Sequence, residues 1–309
     1  MKAIALKIDV DTLRGTREGV PQLQSLLLKY QAGATFLFSL GPDHTGRAIK
    51  RVFRKGFLGK VQRTSVLEHY GLKTLLYGTL LPGPDIGIQA AGAMQAVEAA
   101  GFETGIHTWD HVAWQDHVAQ ATDEWTERQM SLAESRFKDI FGHPARVHGA
   151  AGWQMNNAAF RHLDHAGMTW ASDTRGTGPF IPVIAGQPCR CPQLPTTLPT
   201  LDELIGLEGL TPSNVAAHLL GLTEHPPAQG HVFTLHAELE GMRLLPVLDA
   251  LLSGWLEQGY RLVSLGDLGG TLEPASLPRC PVVMGSIPGR SGALALQGDP
   301  LPDSQPSTQ

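Results

Sequence analysis

Ile4-Ala5-Leu6-Lys7-Ile8-Asp9-Val10-Asp11, near the start of a 309-residue chain, decides how the rest is read. Ile4, Leu6, Ile8 and Val10 alternate with the other residues. An extended chain therefore carries Asp9 and Asp11 together on one side, at its C-terminal end. One could bind a metal ion while the other takes a proton, although two acids at a strand end can also simply cap the next turn. A second stretch, Gly105-Ile106-His107-Thr108-Trp109-Asp110-His111, holds two histidines four apart. On a helical turn they would point the same way and could grip one divalent ion. Two imidazoles leave such an ion under-coordinated, and a carboxylate is the usual third ligand of a hydrolytic zinc site.

Outward from these stretches, strand and helix signals alternate. Residues 22–30 read as a helix, with Leu23, Leu26, Leu27 and Tyr30 at helical spacing and Pro21 near its start. Residues 34–39 read as a short buried strand, 89–100 as an alanine-rich helix, and 103–106 as a strand delivering His107. A long amphipathic helix is expected over 114–141 and another over 156–166. Strand ends at 146–148 and 168–172 deliver His148 and Asp173. A proline-rich passage, 179–199, wanders before a short segment at 201–205 and a helix over 212–222 that Thr211 can cap. Residues 231–235 deliver His236, 244–258 form a helix, and 260–264 form the closing strand. Such alternation implies parallel strands with right-handed crossovers. Asp9, Asp11, His107, His148, Asp173 and His236 then share the C-terminal strand ends, the face where a β/α barrel keeps its chemistry.

One domain is expected over 1–270, followed by a Gly-, Pro- and Ser-rich tail over 271–309 that is disordered from about residue 285. The net charge of −5 argues against a general nucleic-acid binder. Three cysteines, Cys189, Cys191 and Cys280, have no disulfide-framework spacing and suit a reducing compartment. The N-terminus opens directly into a strand rather than an unbroken apolar signal core, so export is not expected. No window approaches the ~20 apolar residues of a membrane span.

The charge is unevenly spread. Residues 44–63 contain Arg47, Lys50, Arg51, Arg54, Lys55, Lys60 and Arg63 and no acid; subtracting these seven from the overall −5 leaves the rest of the chain at −12. Ile49, Phe53, Phe57 and Val61 recur every fourth residue, with Val52 and Leu58 beside them. An apolar stripe flanked by cations fits a peripheral membrane contact, through Arg47, Lys50, Arg51, Phe53, Arg54, Lys55, Phe57 and Leu58. A solvated helix with its stripe on the core is the plainer alternative. The Leu- and Pro-rich residues 75–87 read as a loop at the lip of the site or a second membrane contact.

Asp9-Val10-Asp11, His107-Thr108-Trp109-Asp110-His111 and Thr234-Leu235-His236 resemble the first, second and last motifs of the NodB-type polysaccharide deacetylases, carbohydrate esterase family 4. Residues 7–12, 148–154, 172–176 and 234–238 look most like the branch of that family that deformylates a lipid-linked formamido sugar, and the likeness runs from about residue 1 to 266. The resemblance implies a single-domain α/β fold, a distorted, incomplete (β/α)7 barrel. It implies Asp11, His107 and His111 as ligands of a divalent metal, Asp9 as general base and His236 as general acid. Zinc, cobalt and manganese all suit that donor set.

The activity implied is hydrolysis of the N-formyl group of undecaprenyl-phosphate 4-deoxy-4-formamido-L-arabinose. It serves lipid A modification and polymyxin resistance from a peripheral position on the cytoplasmic face of the inner membrane. Two departures from the family pattern stand out. Val10 separates the aspartates that many relatives have adjacent. The third motif lacks the arginine that orients the base, and His148, Arg146 or Arg175 is expected in its place, with Asp173 orienting one of them. Trp153, after three small residues, is a candidate sugar platform. Alternative functions are a soluble N-acetyl-sugar deacetylase or cyclic amidohydrolase, and a non-catalytic membrane-associated sugar-lipid binder.

Overall fold

The strands run β1 Ala3–Val10, β2 Thr35–Ser39, β3 Glu103–Thr108, β4 Val147–His148, β5 Trp170–Ala171, β6 Ile181–Ile184, β7 Gln187–Pro188, β8 His231–His236, β9 Arg261–Val263, β10 Arg279–Gly285 and β11 Leu294–Gln297. They are taken from a computed structural model that describes residues 2–48, 74–290 and 292–302. β1 is the hub, and every residue of it is buried. β8 pairs along it from Ile4 against His231 to Asp9 against His236. On its other edge β2 takes Lys7 to Val10 while β9 takes Ala3 to Ala5. The closing strand therefore shares an edge of β1 with β2, and Gly33 N donates to Leu262 O where the two meet (3.0 Å).

All pairings of this sheet are parallel, in the order β5-β4-β3-β2-β1-β8 with β9 on β1, and the sheet curls into a half-barrel. The passage expected to wander runs across the opening between β5 and β8. Leu194 N donates to Ala171 O (2.7 Å), Thr196 N to Thr174 O (3.0 Å) and Thr197 N to Val232 O (3.1 Å). Prolines at 192 and 195 suit an extended segment that makes few ladder bonds of its own.

The alternation in β1 separates two apolar layers. Ile4, Leu6, Ile8 and Val10 belong to the larger cluster, packed beneath helices α1 Val20–Lys29, α2 Ala91–Ala99, α4 Asp123–Phe141, α5 Asn157–Ala166, α6 Val215–Leu222 and α7 Leu245–Glu257. Ala3 and Ala5 join Leu37, Val147, Trp170, Val232 and Val263 in the smaller cluster inside the barrel. Lys7 and Asp9 continue that inner face toward the C-terminal end, which is how the polar site comes to sit on an apolar plug.

The single helix expected over 114–141 is two helices, α3 His111–His117 and α4. Thr122 Oγ1 accepts from Trp125 N (3.2 Å) and restarts the chain as α4, while Asp110 Oδ1 accepts from Ala113 N (3.0 Å) and caps α3. A second correction concerns the tail. β10 pairs in parallel with β6 and antiparallel with β11, so the disorder expected from about residue 285 does not describe residues 292–302. Cys280, Leu294 and Ala295 are buried, and Arg175 N and Gln297 N exchange bonds with Ala295 O and Arg175 O. A few buried residues in short strands suffice to order a segment whose composition suggests none. Of the expected membrane-contact residues, Arg47 is exposed, whereas Lys50, Arg51, Phe53, Arg54, Lys55, Phe57 and Leu58 lie outside the described residues. Among the described residues, no helix is long and apolar enough to cross a membrane.

Candidate active site

His107 is the penultimate residue of β3 and His111 opens α3, so the two do not share a helical turn as their spacing suggested. The bend at Asp110 still stacks their rings, with centroids 5.3 Å apart. His107 Nδ1 lies 2.6 Å from Gly149 O; a carbonyl only accepts, so Nδ1 carries the proton and Nε2 keeps its lone pair. That Nε2 is 3.2 Å from Asp11 Oδ1, and His111 Nε2 is 3.4 Å from Asp11 Oδ2. Ligands about 2.05 Å from a tetrahedral ion lie about 3.3 Å from one another, so these spacings fit a shared coordination sphere. Ligand atoms of all three residues lie within 4.8 Å of one another. Asp11 Oδ1 is buried without a hydrogen-bond partner, an orphan acceptor that a cation would satisfy. The cluster can therefore hold a divalent metal ion.

Electrostatics favour the same state. Burial would raise the Asp11 carboxyl, but His111 and then His107 hold it far below the usual carboxylate range. Burial pushes the His111 ring down, against the pull of Asp11, which keeps it neutral and able to donate a lone pair. Glu238 Oε1 accepts from Asp11 N (3.1 Å), Thr12 N (2.9 Å) and Thr12 Oγ1 (2.7 Å), fixing the turn that presents Asp11. Burial, then the neighbouring Asp11, pushes the Glu238 carboxyl up. Gly15 leaves it room, since a Cβ there would stand 1.9 Å from Glu238 Oε1.

Asp9 and His236 face each other as register partners on β1 and β8. Asp9 Oδ1 is buried without a hydrogen-bond partner, 3.6 Å from His107 Nδ1. Its other oxygen lies 3.5 Å from Lys7 Nζ. Burial alone would deprotonate the His236 ring, but Asp202, then Asp11, Glu240 and Asp9, raise it to about 9. Glu240 also accepts from His236 N (2.8 Å).

The candidates for the base-orienting role lie elsewhere. His148 Nδ1 pairs with Asp173 Oδ1 (2.7 Å), Arg146 is exposed and donates to Gly167 O (3.1 Å), and Arg175 pairs with Glu203 (2.6 Å). Asp173 orients His148, and also accepts from Ala150 N (2.8 Å) and Gln193 Nε2 (3.0 Å). Trp153 is 1% exposed, with Lys7, Arg175 and Arg290 around its ring, so it is no platform open to a sugar.

Lys7, Asp202, Glu203, Glu238, Glu240 and Arg290 are the participants that the sequence reading left out. A lysine two residues before Asp9, on the inner face of an otherwise apolar strand, was the one readable signal among them. Arg290 arrives from the tail, with Nε 3.0 Å from Glu203 Oε1 and Nη2 3.4 Å from Asp202 Oδ2.

A half-barrel with paired histidines and two aspartates at its C-terminal rim is the arrangement of a carbohydrate esterase, and the chain belongs to the polysaccharide deacetylase family, whose profile matches residues 1–171. A relative from Shewanella sediminis (strain HAW-EB3), named as a probable 4-deoxy-4-formamido-L-arabinose-phosphoundecaprenol deformylase ArnD, is 34% identical over 294 residues, 95% of this chain and 94% of its own. A relative from Wigglesworthia glossinidia brevipalpis with the same name is 30% identical over 284 residues, 92% of this chain and 98% of its own.

Among solved structures, a candidate polysaccharide deacetylase from Mycobacterium smegmatis superposes with a TM-score of 0.60 at 13% identity, over 90% of this chain and 93% of its own. The Xyl-CE4 domain of a multidomain xylanase from the hindgut metagenome of Trinervitermes trinervoides superposes with a TM-score of 0.51 at 13% identity, over 89% and 94%. At such identities the likeness concerns the fold.

Proposed function

We propose that this protein is a metal-dependent deformylase. It hydrolyses the N-formyl group of undecaprenyl-phosphate 4-deoxy-4-formamido-L-arabinose, giving the 4-amino sugar lipid and formate. The two deformylase-named relatives, matched over nearly their whole length, support the substrate. The observation that carries the chemistry is the convergence of Asp11, His107 and His111 with Asp9 and His236 beside them.

Asp11, His107 and His111 would hold the ion. When bound, a divalent cation there supplies Lewis acidity, lowering the pKa of water toward about 7 and polarising the formyl carbonyl. Asp9 Oδ1, with no partner of its own, takes the proton of the attacking water. His236, the register partner of Asp9 on β8, gives a proton to the sugar nitrogen as the C–N bond breaks. Water adds across the amide, and no other co-reactant is needed. The amine released adds a cation to lipid A after transfer, which weakens its attraction for polymyxin and other cationic peptides.

A peripheral site on the cytoplasmic face of the inner membrane suits a polyprenyl-linked substrate. Leu80 (80% exposed), Leu81 and Arg47 support a lipid-facing rim, which His44 ties to the ligand stretch through Asp110 (2.6 Å). Formate release from the lipid-linked substrate by purified protein, with and without a chelator, tests the activity. Acetylated and cyclic-amide sugars assayed alongside must be poorer substrates. Equal turnover of the acetyl sugar, or chelator-insensitive turnover, overturns the reading. Sedimentation with anionic vesicles, and not with zwitterionic ones, tests the membrane contact.

A further inference from the structure

We infer that Lys7 is a positioning residue for Asp9, fixing which carboxylate oxygen faces the reacting water. The inference rests on the reading of Asp9 as the group that takes the water's proton. Lys7 is 0% exposed at the top of the barrel's inner layer, just above Ala5, where a leucine or methionine would fill the same space without desolvating an ammonium.

Three contacts from separate parts of the chain fix Nζ in place of water. Ser172 O, just beyond β5, accepts from it at 3.0 Å. The Trp153 ring centroid lies at 5.1 Å, and Asp9 Oδ2, on the same strand, lies at 3.5 Å. Gly149 closes the remaining side: a Cβ there would stand 2.8 Å from Lys7 Cε and 2.3 Å from Leu37 Cδ1, so the stem has no space to swing. Burial lowers the affinity of the amine for its proton, and Asp9, then Asp173, offset only part of that against the opposing charge of Arg175.

The effect on Asp9 is asymmetric. Oδ2 is engaged by the ammonium, while Oδ1 has no hydrogen-bond partner. Rotation of the carboxylate would carry an oxygen onto His107 Nδ1, now 3.6 Å away, and compete with Gly149 O for the proton that sets the His107 tautomer. By anchoring Oδ2, the ammonium keeps Oδ1 free and leaves that tautomer alone. An uncharged side chain of the same length would fill the layer but release the carboxylate.

Lys7→Met tests this in wild-type and Asp9→Asn backgrounds, with kcat, KM and metal stoichiometry measured for each. The expected result is a loss of about 100-fold in kcat, the scale of a small misplacement of a reacting group, with KM and metal content unchanged. In the Asp9→Asn background the same substitution should cost little further, because its effect acts through the missing carboxylate. An unchanged kcat in folded Lys7→Met, or an equal loss in both backgrounds, overturns the positioning role while leaving the deformylase reading intact. Wild-type turnover by Asp9→Asn alone overturns the assignment of the base, and this inference with it. Should the methionine variant fail to fold, Lys7→Gln, which keeps a donor for Ser172 O without the charge, is measured against the same expectations.

Discussion

Glu203→Gln should loosen the C-terminal segment from the barrel. Glu203 is 3% exposed; its Oε1 accepts from Arg175 Nη1 (2.6 Å) and Arg290 Nε (3.0 Å), and its Oε2 from Thr200 N (3.1 Å). The amide keeps the shape and removes the charge, leaving two guanidiniums with Asp202, 3.4 Å from Arg290, as the nearest remaining acid among these contacts. Breaking a buried pair by neutralising one partner costs about 3–5 kcal/mol, and the lower figure applies because the Arg290 and Arg175 side chains are 19% and 11% exposed. An unfolding entropy near 2.1 cal/mol/K per residue gives roughly 0.65 kcal/mol/K for 309 residues, so Tm should fall by about 5 °C.

Limited trypsin digestion reads the same event locally. Arg290 is held over Trp153, with its guanidinium carbon 4.4 Å from the ring centroid, and should resist cleavage in the wild type. Cleavage after Arg290 should appear early in the variant. A Tm within 1 °C of wild type, together with an unchanged digestion pattern, would refute the claim that Glu203 anchors this segment.

His107→Ala and Asp11→Asn should each abolish stoichiometric metal by elemental analysis, and unchanged content would remove the metal-site reading. Glu238→Gln, which weakens the grip on the turn presenting Asp11, should lower metal affinity by about 10- to 100-fold in a chelator competition. The pH dependence of stability has a definite sign in chelator-treated protein. His236 is raised from 6.5 to about 9, so its contribution is complete below about pH 6.5 and is lost as pH rises through 9. Urea unfolding should show a fall of about 3 kcal/mol across that window, with a shallower slope in His236→Gln. Thr122→Ala should cost about 1 kcal/mol by removing the cap of α4, seen as a Tm drop of about 1–2 °C.

The polar face of β1 was legible because a strand with period two leaves little choice about where Asp9 and Asp11 point. β3 and β8 were legible as short strands delivering His107 and His236, the parallel pairing followed from the alternation of elements, and the incomplete barrel came from the family resemblance. Spacing misled at His107 and His111, since an interval of four fits a helix as well as a strand end turning into one. The choice belongs to the Asp110 cap, a local bond that no periodicity records. β9 was recognised as a strand, but its place beside β2 depends on partners more than 200 residues away in sequence. Residues 193–198 and the tail were missed because short extended segments that borrow hydrogen bonds from neighbours carry no pattern of their own. Lys7, Glu203 and Arg290 are charged side chains held inside the fold by partners distant in sequence, and charge ordinarily marks surface.

The position of β1 bears on how the protein is made. Its C-terminal half can pair with β2 almost as soon as both emerge, but its other edge waits for residues 231–236. At ribosomal rates of about 5–20 residues per second, that wait lasts roughly 10 to 45 s. Through that interval an apolar strand that carries Asp9, with Asp11 just beyond its end, lies with one side open. Nascent chains should therefore depend on holdase chaperones, and fragments ending before β8 should aggregate rather than fold.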